Sequence, residues 1–371
     1  MQKITITDRE AGQRFDRYLR KYLNLAPSSF IYKMLRKKNI KLNGKKADGR
    51  ERLEPGDQIV LFLADDTIAR FRNLPENHSC VSAKHREQLP DQSGNQNHVS
   101  AKHREQLTDQ FENRIADGWQ ERLSILYEDS DILIVNKPQG ILSQKADRAD
   151  ISMVEYITAY LDRQSAAANT VEDTFRPGIC NRLDRNTTGL MVAGKSVRGL
   201  QWMNALFRER TIQKYYLCIV QGKITDRCRI DGYLLKDSRS NTVKIMDRPD
   251  AASSRILTEY EPLQYGDLQG KTFTLLRVHL LTGKSHQIRA HLSSVGHPLI
   301  GDTKYGSREI NLIFRQQYRL HCQLLHAWEL HLPVNVPELP EKYQDKLFTA
   351  PLPGQFRQIL KGLGMQEPSS K

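Results

Sequence analysis

No apolar run in this chain of 371 residues approaches the ~20 residues that a helix needs to cross a bilayer. Stretches such as Ile132–Val135 and Leu190–Ala193 have the length of single buried strands, so no membrane span is expected. The start, from Gln2 to Thr7, is polar and strand-like, without the apolar core and small-residue cleavage site of a secretory signal. A cytoplasmic location is the expectation. Cysteine is sparse: Cys80, Cys180, Cys218, Cys228 and Cys322 stand far apart, which argues against a disulfide framework and against a zinc ribbon. A glycine-rich nucleotide loop and a regular βαβ rhythm are both missing, which disfavours a doubly wound fold. Acids are in deficit, with 43 Asp and Glu facing 56 Lys and Arg, a net charge of +13 at pH 7. That excess favours a polyanionic partner, nucleic acid first, through phosphate contacts and released counterions.

What is present is a chain 39% hydrophobic, long enough for two or three domains. Residues 1–64 carry 15 Lys and Arg against 7 Asp and Glu, more than half of the charge excess. Phe15, Leu19 and Tyr22 recur at helical spacing, and Ser28 or Ser29 caps a second helix with Ile31, Met34 and Leu35 on its apolar face. Alternation over Ile40–Leu42, an Asn43-Gly44 turn, then Pro55-Gly56-Asp57 and the strand-like Gln58–Phe62 complete the order helix, helix, hairpin. This order resembles the small αL-type RNA-binding module of ribosomal small-subunit protein four, over about residues 12–64. The resemblance implies that the second helix and the hairpin loop face RNA, which makes Lys33, Arg36, Lys37, Lys38, Lys41, Lys45 and Lys46 the candidates for phosphate contacts. A merely solvated basic surface is the other reading of the same charges.

Residues 65–120 are rich in Asn, Gln, His and charge and poor in apolar periodicity, the pattern of a polar linker or insertion. VSAKHREQLPDQ at 81–92 recurs as VSAKHREQLTDQ at 99–110; two copies are too few for a solenoid. His85 and His103 within them fit no compact metal site. Patterning returns from about Ser124 with LYEDSDILIVNKPQG at 126–140, read as one strand ending in a turn. Strand-like runs at 213–221, 254–260 and 272–281 are interspersed with helix-like stretches at 151–162, 197–209 and 284–294. An α+β domain with a mixed, largely antiparallel sheet over residues 121–355 is expected, followed by a tail at 356–371.

Within RPGICNRLDRNTTGLMVAGKS at 176–196, Asp184 stands between Arg182 and Arg185, just ahead of the apolar strand Leu190–Ala193. Flanking guanidinium groups favour an ionised carboxylate, and a turn before a buried strand presents its side chain at a sheet edge, where it can act as a nucleophile. The same residues equally describe a structural Arg–Asp salt bridge that caps a turn.

Three more segments follow in order: RTIQKYYLCIVQG at 210–222, LLTGKSHQIRAHLSSVGHPLIGDTKYG at 280–306 and LHAWELHLP at 325–333. With NKPQG, NRLDRNTTG and the final FTAPLP at 348–353, they resemble the ordered motifs of the RluA-type pseudouridine synthase family. The resemblance implies a pseudouridine synthase fold and an enzyme that isomerises uridine in structured RNA, with neither cofactor nor metal. Asp184 matches the family's catalytic aspartate, Tyr216 the tyrosine that stacks on the target base, and Arg289 the basic residue paired with the aspartate. Arg182, Leu183, Lys214 and Gln287 adjoin these positions and are candidate substrate contacts. Taken alone, Tyr216 reads as a core strand aromatic and Arg289 as a surface helix charge. The chain departs from the common pattern at Asn181, where the family usually has His, and at Thr188, where Ser is frequent.

His279, His286, His291 and His297 crowd the third segment, but His286 and His291 lack the i, i+4 spacing and the Glu of a zinc-hydrolase helix. A glycosidase needs a second partnered carboxylate; Asp302, in Gly-Asp-Thr, reads as a turn residue. Ribosomal RNA is the expected partner because of the N-terminal module, with transfer RNA as the alternative. A catalytically silent RNA-binding or ribosome-assembly factor is the rival from another class. No obligate protein partner is implied.

Overall fold

A computed structural model describes residues 1–72, 123–147, 150–167, 175–237 and 242–369. The duplicated segment at 81–110, with His85 and His103, and Cys80 lie outside them. The chain divides into two compact units, Met1–Trp119 with Asn169–Phe175, and Gln120–Ala168 with Arg176–Lys371.

In the first unit, α1 (Phe15–Tyr22) buries Phe15, Tyr18, Leu19 and Tyr22 against Ile31, Met34 and Leu35 of α2 (Ser28–Arg36), as the apolar spacing predicts. Beneath them a sheet runs in the order β1 (Gln2–Thr5), β4 (Gln58–Leu61), β2 (Ile40–Leu42), β3 (Lys45–Lys46), all antiparallel. Asn43 and Gly44 join β2 to β3 with φ of 49° and 73°, the left-handed pair that an Asn-Gly turn supplies. The Asn43 side chain also ties this turn to β4, donating to Asp57 and accepting from the Gln58 N–H, both at 2.8 Å. Neither Ser28 nor Ser29 caps α2: the cap position is Pro27, whose extended backbone starts the helix without a side-chain bond. Residues 65–71, placed by composition in the polar linker, include helix α3 (Asp65–Phe71), whose Ile68 joins this core.

The second unit is built on an eleven-stranded sheet. Its strands are β5 (Ser124–Glu128), β6 (Ile132–Lys137), β7 (Gly178–Ile179), β8 (Thr188–Gly194), β9 (Gln213–Gln221), β10 (Cys228–Asp237), β11 (Thr242–Met246), β12 (Ser254–Leu268), β13 (Lys271–Leu280), β14 (Leu325–His331) and β15 (Leu347–Thr349). The order is β11-β10-β12-β13-β9-β14-β8-β6-β5, with β15 paired to β14 and β7 to β8. Among the described strands only β14 with β8 is parallel, so the sheet is mixed and largely antiparallel, as expected. Helices α4 (Met153–Ala167), α5 (Val197–Glu209), α6 (Gln287–Ser294), α7 (Arg308–Tyr318) and α8 (Gly354–Gly362) accompany it. The stretch read as one strand at 126–140 is a hairpin: the Asp129 carboxylate accepts the N–H groups of Asp131 and Ile132 and breaks it into β5 and β6. Residues 356–369 are no tail, because α8 buries Phe356, Ile359 and Leu360 in the core beside Phe273 and Phe314.

The central β8–β14 pairing fixes where the chemistry stands. Gly189, at φ 108°, lies so close to β14 that a Cβ would meet the Ala327 carbonyl oxygen at 2.1 Å. Only glycine permits this approach, and it holds the loop before β8 against the middle of the sheet.

Candidate active site

That loop, residues 180–187, is tied down on all sides. Asn181 runs beside β8 like a short strand, donating to Leu190 O at 3.1 Å and accepting from the Val192 N–H at 2.8 Å. The residue that departs from the family pattern is therefore a strand clamp. The Ser143 hydroxyl grips Leu183 twice, donating to its carbonyl and accepting its N–H. Lys137, fully buried at the end of β6, donates to the carbonyls of Pro138, Arg185 and Thr187 at 2.9, 2.8 and 3.0 Å. Burial pushes its pKa down to about 7, against the pull of the Asp184 charge. Thr188 is bonded to Nδ1 of the buried His326, whose Nε2 reaches Ala350 O, so the second departure from the pattern also keeps a hydrogen bond.

Asp184 projects from this loop with a side chain 25% exposed. Its ionic partner is Arg289 of α6, whose Nη1 donates to Oδ2 at 3.0 Å. Arg182 and Arg185, its sequence neighbours, are exposed and form no ion pair with it among the described residues. The flanking guanidinium groups read from sequence are thus replaced by one from 105 positions away. Oδ1 of Asp184 makes no hydrogen bond among the described residues, so one oxygen is anchored and the other is open.

Arg289 is itself fixed from behind. Asp302 accepts from its Nε at 2.6 Å and its Nη2 at 2.9 Å, the bidentate geometry that a guanidinium favours. Asp302 is completely buried and also accepts the N–H groups of Lys304 and Tyr305. The turn role expected for it is real, but it is also the second carboxylate of the site, which Gly-Asp-Thr alone does not reveal. Burial works against the Arg289 charge, yet the bonds and charges of Asp302 and Asp184 outweigh it and keep its pKa above the usual arginine value. Arg289 is 5% exposed and not a surface helix charge.

Tyr216 on β9 stands opposite Val278 and Ala327 and packs in one apolar cluster with Leu183. Burial and the nearby Asp184 charge raise its hydroxyl pKa, so it is a neutral wall beside the carboxylate. Lys214, two residues earlier and half-buried, has its pKa lowered by burial and by Arg210. Gln287 does not fit a substrate contact. It is buried, its amide nitrogen donates to Leu257 O and Thr258 Oγ1, and its oxygen accepts from Thr282 Oγ1 and the Lys284 N–H, which leaves no capacity for a ligand. It pins the start of α6, which is why the helix begins at Gln287 and not at 284.

The four histidines go separate ways: His279 stacks on Tyr215, His291 bonds Thr258, His297 bonds Gln221 O, and only His286 approaches Asp184. No cluster of three or more His, Cys, Asp or Glu able to hold a metal occurs among the described residues. In the first unit, Lys33, Arg36, Lys37, Lys38, Lys45 and Lys46 are exposed, while Lys41 lies over the Phe62 ring at 5.1 Å. Arg36 and Lys46 share a groove of about 620 Å³ with Arg14, Arg50 and Tyr32, three residues outside the candidates read from sequence.

Residues 131–294, which hold Asp184, Tyr216 and Arg289, match the RNA pseudouridylate synthase family. The chain is similar to proteins named ribosomal large subunit pseudouridine synthase C: 27% identical to that of Vibrio cholerae over 88% of this chain and 87% of the relative. The corresponding figures for Pasteurella multocida are 27%, 99% and 95%, and for Escherichia coli 28%, 83% and 81%. Among solved structures, human RNA pseudouridylate synthase domain containing 4 superposes with a TM-score of 0.54 at 21% identity, over 70% of this chain and all of that one. The second unit has the pseudouridine synthase fold.

Proposed function

We propose that this chain isomerises uridine in large-subunit ribosomal RNA in the cytoplasm, with Asp184 as its catalytic carboxylate. The chain is an RNA pseudouridine synthase, an isomerase. The observation that carries the residue assignment is the asymmetry of Asp184: Arg289 anchors Oδ2 and Oδ1 stays open. The bond between C1′ and N1 of uridine breaks, with its electron pair passing to the uracil ring. Asp184 Oδ1 meets the electron-poor sugar, by adding to C1′ or by drawing off the C2′ proton to give a glycal. Tyr216 and Leu183 wall in the freed uracil while it turns. C5 then bonds C1′ as Asp184 Oδ1 either leaves C1′ or returns the proton to C2′, the C5 proton leaves, and N1 gains one. A uridine in structured RNA has to be extruded to reach this loop, and exposed Arg182 and half-buried Lys214 are the proposed contacts for the flipped nucleotide.

We assign residues 1–64, with helix α3 packed on their core, to RNA binding as an αL-type module, with a polar linker or insertion after α3 up to residue 120 and the catalytic domain starting near 121. The groove of Arg14, Tyr32, Arg36, Lys46 and Arg50 supports this, since an aromatic ring among cations suits a nucleic-acid backbone and its bases. The test is a map of pseudouridine in ribosomal and transfer RNA from cells with and without the protein. Positions lost from large-subunit RNA are the expected result. Loss confined to transfer RNA would reassign the substrate, and no loss anywhere would favour a silent RNA-binding factor.

A further inference from the structure

His286 has a left-handed backbone, φ 57° and ψ 12°, directly before α6, a conformation uncommon for a residue with a Cβ. The turn aims its imidazole back at the site, with Nε2 3.9 Å from Asp184 Oδ2. Nδ1 lies 3.0 Å from the Tyr305 hydroxyl. That hydroxyl already accepts the Val243 N–H at 2.8 Å, so its own hydrogen is directed at Nδ1. A neutral imidazole that accepts at Nδ1 carries its proton on Nε2. Burial, together with Arg289 and Lys304, favours the neutral ring against the pull of Asp184 and Asp302. At 3.9 Å the Nε2–H is too far from Asp184 for a hydrogen bond, and it has no other partner among the described residues. A donor of set tautomer thus stands on the Oδ2 side of the carboxylate, beside the reacting loop, with nothing to donate to among the described residues.

We propose that His286 is a further catalytic residue, whose Nε2–H donates to the O2 carbonyl oxygen of the target uracil as the glycosidic bond breaks. This rests on the synthase reading. When the C1′–N1 pair passes to the ring, its charge spreads over N1, O2 and O4, and no proton moves from His286. O2 is the oxygen nearest C1′, and hence nearest the carboxylate that acts there. A donor waiting at that place stabilises charge present only after cleavage begins, so it acts on turnover more than on binding. Tyr305 is then a positioning residue, because its O–H keeps Nδ1 an acceptor.

Leaving-group dependence tests this. Wild type, His286→Leu, His286→Gln and Tyr305→Phe are compared on large-subunit RNA from cells lacking the protein, carrying uridine or 5-fluorouridine, with consumption of the target nucleoside followed by mass spectrometry of digests. 5-Fluorouracil leaves more readily and needs less help. His286→Leu is expected to slow uridine turnover about 10²-fold with KM unchanged, and to slow 5-fluorouridine by clearly less. His286→Gln, which keeps an N–H donor, recovers most of the rate. Tyr305→Phe slows the enzyme several-fold when His286 is present and not at all in the His286→Gln background. Equal losses on both substrates, or a raised KM with kcat intact, overturn the assignment and point to a 2′-hydroxyl contact or a structural role. A wild type inactive on both removes the synthase reading and this inference together; an active wild type with an unaffected His286→Leu removes this inference alone.

Discussion

Arg289 holds Asp302 by two nitrogens and Asp184 by only one, so a single guanidinium joins a carboxylate that is wholly buried to one that is a quarter exposed. The buried acid fixes the cation, and the cation in turn fixes one oxygen of the exposed acid. This division separates the carboxylate proposed as catalytic from the acid that holds the cation, and it makes the two acids respond differently to change.

Asp302→Asn should damage folding as well as turnover. Removing one partner of a buried pair leaves an uncompensated charge and costs about 3–5 kcal/mol. Urea unfolding should show a loss of that order, and a variant as stable as wild type would contradict the role given to Asp302. Burial tends to raise the Asp302 pKa, but the hydrogen bonds and charge of Arg289 outweigh it and hold it below the usual 3.8. The unfolded chain takes up this proton first, so the stabilisation is present above about pH 4 and is lost as pH falls further.

Lys137 should give a slope of the same sign in a more alkaline range. Its pKa is about 7 in the fold and near the ordinary 10.5 when unfolded. Between those values the unfolded chain binds more protons, so the contribution of this lysine to stability rises with pH. The unfolding free energy of wild type minus that of Lys137→Met, measured from pH 6 to 10, should therefore increase. A flat difference would show that three carbonyl acceptors keep the ammonium charged throughout. Either way Lys137→Met leaves the carbonyls of Pro138, Arg185 and Thr187 without their donor and loosens the Asp184 loop.

Neutralising Arg36, Lys46 and Arg50 together should weaken RNA binding and flatten its salt dependence, by about 0.9 in log–log slope for each phosphate left without its cation on duplex-like RNA. Binding titrations at several salt concentrations measure both effects. An unchanged slope would return these residues to a merely solvated surface.

Much of this was legible in the sequence, for identifiable reasons. The runs at 197–209 and 213–221 became helix α5 and strand β9 because strong periodicity and clear ends coincide there. Asn43-Gly44 announced its turn, and the ordered motifs together pointed to the synthase family that the comparisons match. What stayed hidden depended on distance in three dimensions. The residues around Asp184, taken alone, pointed to Arg182 and Arg185, which face solvent; its partner Arg289, 105 positions away, was named only through the resemblance of the ordered motifs. Asp302 looked like a turn because a turn is one of its two roles. Gln287 lies within the motif but spends its amide on neighbouring backbone and hydroxyl groups, which no linear reading shows. Helix α8 was a plain miss, since Phe356, Ile359, Leu360 and Leu363 already follow helical spacing.

Release of tritium from RNA labelled at C5 of uridine tests the central claim most directly, because C5 loses its proton only if the base is detached, turned and rejoined through carbon. Wild type should release tritium, and Asp184→Asn should be slower by more than about 10³-fold while unfolding at the same temperature and binding RNA equally well. An Asp184→Asn variant that releases tritium at the wild-type rate would contradict the account.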